Sequence, residues 1–172
     1  MKVRLMPLLL AGAVLLLPAV AGTQTLTPYS TPQFSATFNG PVTAQPPART
    51  STTNTSVDLF YSSEVNGVEQ IVAIRTFDEP GYTTTDYTSS DFYAQQIAAM
   101  GTLESSSRDH YQGHPFSYTK ALMAQQDGSQ KVQRDRFIIL SDRTMAFVRM
   151  LAPQDRDSDA AWETFANSLV FK

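Results

Sequence analysis

The sequence predicts an α+β fold, in which two main helices accompany a mostly antiparallel sheet of about six to seven strands in a single domain. Asn66-Gly67 and Asp127-Gly128 each separate two runs of apolar and alternating residues. Such pairs are strong signals for a β-hairpin because their residues tolerate positive φ. Two further segments, 89–101 and 158–169, change to the spacing of an amphipathic helix. Runs of hairpins with separate helices are typical of the α+β class.

The N-terminus has the pattern of a secretory signal peptide. Lys2 and Arg4 precede an apolar run at 5–17, and residues 18–22 (PAVAG) supply the small side chains of a cleavage site. We therefore expect residues 1–21 to be removed and the protein to be periplasmic or secreted, with no transmembrane segment after cleavage. The chain contains no cysteine. This excludes a lipid-modified cysteine and disulfides, so the domain depends on its core.

Charge argues against two classes of partner. The 13 basic residues fall to 11 when Lys2 and Arg4 leave with the signal peptide, which takes the formal net charge from −3 to −5. Nucleic acids and anionic lipid surfaces call for concentrated Lys and Arg, so we expect the protein to bind neither. The densest basic stretch, 131–136, places Arg134 and Arg136 on one face of a strand, and we interpret it as a solvated face.

The first half of the exported chain predicts an arm, a strand, a loop and a hairpin. Residues 22–32 are rich in Thr, Ser and Pro and form an extended arm, so the domain proper is 33–172. "FSATF" at 34–38 alternates like a half-buried strand. The stretch 41–56 has three prolines and many hydroxyls, which predicts a long solvated connection. The strands 57–65 and 68–77 then flank Asn66-Gly67.

A helix and four strands follow. Phe92, Tyr93, Ile97 and Met100 recur at helical spacing, and Gly101 occupies the place of a left-handed residue that ends a helix. The segment after it is polar and weakly alternating, which predicts an edge strand. The later strands carry apolar side chains on both faces, which is typical of central strands covered on each side. The four predicted strands are 102–112, 114–125, 132–140 and 144–151.

The chain closes with a second predicted helix. Ser158 is a capping residue, and Trp162, Phe165 and Leu169 recur at i, i+3 and i+7. A helix of this length is marginal in water by itself. We therefore interpret its apolar stripe as core that packs against the sheet.

This order of elements resembles the PsbP-like superfamily. The residues that carry the resemblance are "FSATFNGP", "GHPFSYTKA" and the closing "FANSLVF", and it covers 33–172. Related bacterial domains have Pro-Gly where this chain has Asn39-Gly40-Pro41, so the resemblance supports the fold better than any subgroup. It implies an α/β/α sandwich and mainly non-enzymatic accessory, assembly or interaction roles.

Few residues in the sequence point to catalysis. There is no cysteine nucleophile, and no serine lies in a G-x-S-x-G elbow. A general base would have to be His110 or His114, the two histidines of the chain. The glycine and proline around them indicate a turn, which favours turn histidines over a metal or catalytic pair. We expect no catalytic residue, metal site or cofactor.

The same turn is the candidate binding surface. Ordered loops on a rigid sheet are where recognition residues usually lie. We predict that Asp109, His110, Tyr111 and His114 contact a partner.

Three hypotheses on function follow. The favoured one is a non-catalytic accessory module that binds another envelope or secreted protein. The alternative is a carrier whose pocket for a small ligand lies between sheet and helix and is lined by aromatic residues such as Tyr93, Tyr111 and Tyr118. A hydrolytic enzyme comes third.

Overall fold

The computed structural model describes residues 25–50, 56–80 and 92–172, without the side chains of residues 50, 56, 57, 92 and 93. This part of the chain forms ten strands and two helices. They are β1 (Thr27–Ser30), β2 (Phe34–Phe38), β3 (Thr43–Thr50), β4 (Ser56–Val65), β5 (Val68–Phe77), α1 (Phe92–Met100), β6 (Thr102–Tyr111), β7 (His114–Ala124), β8 (Gln130–Ile139), β9 (Thr144–Pro153), α2 (Asp159–Ala166) and β10 (Val170–Phe171). Neither helix is long and apolar enough to cross a membrane.

Seven strands form one antiparallel sheet in the order β3-β4-β5-β9-β8-β7-β6. The predicted hairpin at Asn66-Gly67 is confirmed, with φ of 55° and 78° at its two central residues. Gly128 likewise has φ of 81° in the turn between β7 and β8. The predicted edge strand is confirmed as well, because β6 lies at one end of the sheet. The sequence thus predicted the hairpins from the turn residues that they require.

The other edge strand, β3, corrects a prediction. The stretch 41–56 was expected to be a solvated connection, yet Thr43–Thr50 pairs with β4. The register shifts between Gln45 and Ala48, where Pro46 and Pro47 lie. Proline has no N–H to donate and is tolerated in strands at an edge or a bulge. The strand is solvated as the composition indicates, but it has a partner on one side.

A second, three-stranded sheet has the order β1-β2-β10. The arm predicted at 22–32 is indeed extended where it is described, and its residues Thr27–Ser30 pair with β2. In β2 the predicted alternation is confirmed, with Phe34, Ala36 and Phe38 buried. The short strand β10 was not predicted. It joins β2 at Phe34 and Ser35 and so returns the C-terminus to the start of the domain.

The main core lies between one face of the large sheet, the small sheet and α2. Alternate residues of β9, among them Val148 and Met150, face Phe34 and Phe38 of the small sheet in one cluster. The predicted terminal stripe is confirmed as part of this core: Trp162, Phe165 and Leu169 are all buried. Leu169 lies beyond the last helical residue, so the stripe continues past α2 as far as the residue before β10.

The helix α1 lies against β6 and β7. Its Ile97 is buried while Met100 is 61% exposed, so the predicted apolar stripe is incomplete at its C-terminal end. The prediction for Gly101 was wrong, because Gly101 is not among the residues with positive φ. A Cβ there would lie 2.5 Å from Leu122 O and 2.6 Å from Met123 Sδ. Gly101 is needed for the close approach of the chain to β7.

Candidate functional site

The predicted partner surface lies at the tip of the β6–β7 hairpin. Asp109, His110 and Tyr111 end β6, and His114 begins β7. Between the strands, Gln112 has φ of 53° and Gly113 has φ of 83°, which makes a tight two-residue turn.

Tyr111 contacts the C-terminal segment of the chain. The Tyr111 hydroxyl lies 2.5 Å from Leu169 O and 3.1 Å from Asn167 O. Gln112 Nε2 donates to Leu169 O at 2.7 Å, and Gln112 Oε1 accepts from Phe171 N–H at 3.2 Å. These bonds satisfy carbonyl groups at the end of α2 and position β10.

The four predicted residues do not converge on one point. The ring of His114 packs edge-on against Phe171, with 6.0 Å between centroids. Strand alternation places His110 on the opposite face from Tyr111, and Asp109 Oδ1 accepts from His110 N–H. In the described part of the chain, no three His, Asp or Glu side chains are grouped as metal ligands. Asp109 and His110 remain exposed, whereas Tyr111 and His114 contact the C-terminal segment.

The basic stretch of β8 is buried, which contradicts the predicted solvated face. Arg134 is 3% exposed, and Asp157 accepts from its Nε and Nη2 at 2.7 Å each. Asp159 accepts from Nη1, also at 2.7 Å. Burial by itself lowers the pKa of Arg134, but these hydrogen bonds raise it overall. Arg136 is stacked among three aromatic rings, those of Tyr111, Phe116 and Trp162.

Tyr111 and Tyr118, two of the three tyrosines expected to line a pocket, pack against the main core. Tyr118 contacts the ring of Trp162 at 5.8 Å between centroids, and burial raises its pKa. Tyr111 forms the C-terminal contacts described above. The side chain of Tyr93 lies outside the described residues. Neither Tyr111 nor Tyr118 lines the pocket described next.

A different pocket, the α2 groove, lies between the sheets and α2. Its volume is about 370 Å³. Thr37 and Asn39 at the end of β2, Val68 and Gln70 of β5, and the exposed helix surface form its walls. Its lining residues are Leu26, Thr37, Asn39, Val68, Gln70, Arg156, Ala160, Ala161, Thr164 and Phe165. The position between sheet and helix agrees with the predicted location, but the lining is mostly small, apolar and amide-bearing.

Two buried amides lie at the wall of the α2 groove. Asn39 is 4% exposed; its backbone N–H donates to Gln70 Oε1 at 2.7 Å, and its Oδ1 accepts from Ser63 Oγ at 3.3 Å. The remaining atom, Asn39 Nδ2, is buried with no hydrogen-bond partner. Leaving a buried amide donor unpaired costs about 1–3 kcal/mol. Asn39 Nδ2 exposes less than 1 Å², so it lies behind the wall of the α2 groove and is not open to it.

Among the described residues, one cation and no carboxylate line the α2 groove. Arg156 is exposed and donates from Nη1 to Asn66 O at 2.8 Å. It forms no ion pair with any described residue. The nearby acids Asp157 and Asp159 are bound by Arg134.

The sequence matches no known family model, and a search among curated proteins also gave no match. The functional proposals below therefore rest on the geometry of this chain.

The residues of the α2 groove were missed at the level of sequence. The sequence singled out Asn39 only as part of Asn39-Gly40-Pro41, which replaces the Pro-Gly of related domains. Gln70 carried a usable signal, because it lies on the same inward face of β5 as Val68 and Val72. A glutamine on the apolar face of a strand needs a buried partner. The identity of that partner, 31 residues away, could not be read from the spacing.

Proposed function

We propose that the protein is a non-catalytic, exported binding protein that holds a small organic ligand in the α2 groove. The observation that carries the proposal is the α2 groove itself, a cavity of about 370 Å³ between the sheets and α2 whose lining joins apolar side chains to Gln70 and Arg156. This development of the carrier hypothesis moves the binding site away from the tyrosines named above.

Size and lining support the proposal. Pockets for small ligands typically measure about 300–1,000 Å³ and combine apolar walls with a few polar groups that fix orientation. The α2 groove is at the lower end of this range, at about 370 Å³. Val68 and Phe165 supply apolar surface, and Gln70 and Arg156 supply the polar groups.

The test compares the small molecules bound to the wild type with those bound to a variant in which a larger side chain fills the α2 groove. The protein would be purified from cells that export it and studied by native mass spectrometry. Ala160 is exposed and lines the groove, so Ala160→Phe should fill it. Gln126→Phe, in the exposed β7–β8 turn, is the matched control. We expect a bound small molecule on the wild type and the control, and none on Ala160→Phe. Equal occupancy of all three proteins, or of none, contradicts the proposal.

A second candidate is the accessory module, with a protein partner at the β6–β7 hairpin. The exposed side chains of Asp109 and His110, at the end of an edge strand, favour it. Capture experiments with a double variant, Asp109→Ala with His110→Ala, should lose a protein that the wild type and a Ser106→Ala control both retain. A partner retained by the double variant contradicts this candidate.

We also propose the finer arrangement and the location. Gly101, which follows α1, approaches Met123, whereas Trp162 of α2 contacts Tyr118. Met123 and Tyr118 are five residues apart on β7 and so point to opposite faces. This supports an α/β/α sandwich of the PsbP-like kind. The periplasmic or secreted location is tested by N-terminal sequencing of exported protein, which should begin near Gly22.

A further inference from the structure

We infer that the α2 groove selects a small organic anion: a carboxylate, or a group of like charge, attached to a compact apolar body. This inference rests on the proposed function, because it specifies the ligand class of the same groove. Three features of the lining carry it: its charge, its amide donor and its apolar surface.

The charge of the lining is positive. Of the lining residues that the structure describes, Arg156 is the one that is charged, and it forms no ion pair with a described residue. Asp157 and Asp159 are bound by Arg134, and neither Asp155, the neighbour of Arg156 in sequence, nor Glu163 lines the groove. A cationic ligand would meet Arg156 and no lining carboxylate. An anionic ligand would gain a charge-assisted hydrogen bond, which is stronger than a neutral one.

Gln70 supplies the amide donor of the wall. Asn39 Nδ2 also has no partner, but it exposes less than 1 Å² and is not open to the groove. Gln70 Oε1 is already occupied by Asn39 N–H, which leaves Nε2 as the end of that amide without a hydrogen bond in the described part of the chain. The hydroxyl of Thr164 is already bonded to Ala160 O. A carboxylate only accepts, with about four lone-pair sites, and so fits a wall that offers an amide donor.

The rest of the lining favours an apolar body on the ligand. Val68, Ala160, Ala161 and Phe165 contribute aliphatic and aromatic surface. Leu26, at 53% exposure, is one of three large apolar side chains that stay exposed in the described part of the chain. A bare inorganic anion would leave this surface in contact with water. An anion with a short chain would cover it and gain the free energy of apolar burial.

The test uses three probes of nearly equal shape: hexanoate, hexanamide and hexylamine. They would be titrated into the ¹⁵N-labelled exported protein, which is expressed with its N-terminal segment and purified after export. The side-chain amide signals of Asn39 and Gln70 report contact directly. We expect hexanoate to shift both signals in a saturable manner and to bind more weakly as salt is added. Arg156→Gln should lower its affinity about tenfold, the value of one charge-assisted hydrogen bond.

The matched control is Arg143→Gln. Arg143 is also exposed, but it precedes Thr144, which pairs with Thr76, whereas the groove residue Gln70 pairs with Met150. Six residues of strand separate these positions by about 20 Å. The control should bind hexanoate like the wild type. An equal loss of affinity in both variants would contradict a specific role for Arg156.

The other outcomes separate this inference from the proposed function. If hexanamide or hexylamine shifts the same two amide signals as strongly as hexanoate does, the anion inference is overturned while the α2 groove remains a binding site. If none of the three probes shifts these signals, the anion inference is overturned and the mass spectrometry above decides the proposed function independently.

Discussion

Replacing Trp162 by alanine should remove a buried aromatic contact between α2 and the large sheet. Trp162 is buried, and its ring packs against Tyr118 and Phe165 at centroid distances of 5.8 and 6.5 Å. The guanidinium of Arg136 also lies over it at 5.7 Å. Truncation of a buried Trp costs about 3–5 kcal/mol through lost burial and the cavity that remains. For a domain of this size, such a loss lowers Tm by about 10 °C.

The measurement is urea unfolding followed by far-UV circular dichroism, because the variant lacks the chain's single tryptophan and cannot be followed by its fluorescence. Trp162→Phe is the control: it keeps an aromatic ring against Tyr118 and should lose less stability. An unfolding midpoint for Trp162→Ala equal to that of the wild type would refute the placement of α2 in the core.

Three further predictions use the same unfolding measurement. Asp157→Ala should lower the free energy of unfolding by about 3 kcal/mol, since Arg134 stays buried with Asp159 as its remaining strong partner; wild-type stability would contradict the ion-pair account. A hydrogen bond from Arg134 lowers the pKa of Asp159 below its ordinary value of 3.8, so its stabilising effect is present above pH 3.8 and is lost as the pH falls through the lowered pKa. The difference in free energy of unfolding between the wild type and Asp159→Asn should therefore shrink below about pH 4. A difference that does not change with pH would contradict the lowered pKa of Asp159. Gly101→Ala should cost about 1–3 kcal/mol because its Cβ would lie 2.5 Å from the backbone oxygen of Leu122. An unfolding midpoint for Gly101→Ala equal to that of the wild type would show that Gly101 and β7 move apart easily.

The sequence predicted those parts of the fold whose cause lies within a few residues. Asn66-Gly67 specifies a hairpin because both positions accept positive φ, and the strands beside it alternate. Ser158 caps α2 through its side chain, which accepts from Ala161 N–H, as the local pattern indicates. These signals do not depend on the rest of the chain.

The predictions failed where a distant partner decides the outcome. Proline and hydroxyl residues at 43–50 have the composition of a loop, but the free edge of β4 gives them a strand to pair with. The sequence pattern around Gly101 is typical of a left-handed residue at a helix end. In the fold, a glycine is needed there because Leu122 O lies too close for a Cβ. Neither neighbour is visible in the local pattern.

By itself, then, the sequence determined the hairpins, the central strands and the apolar stripe that ends the chain, because backbone dihedral preferences and hydrophobic periodicity act over a few residues. Only the tertiary structure decided which polar groups are buried. The local sequence predicts that Arg134 is a solvated cation. The fold buries it and brings Asp157 and Asp159 to it from more than 20 residues away. Asn39 likewise becomes a buried polar residue only when Gln70 accepts its backbone N–H and Ser63 donates to its side-chain oxygen, which leaves Nδ2 unpaired. The free energy of a buried charge or amide depends on the partners that surround it, and folding assembles those partners from distant parts of the chain.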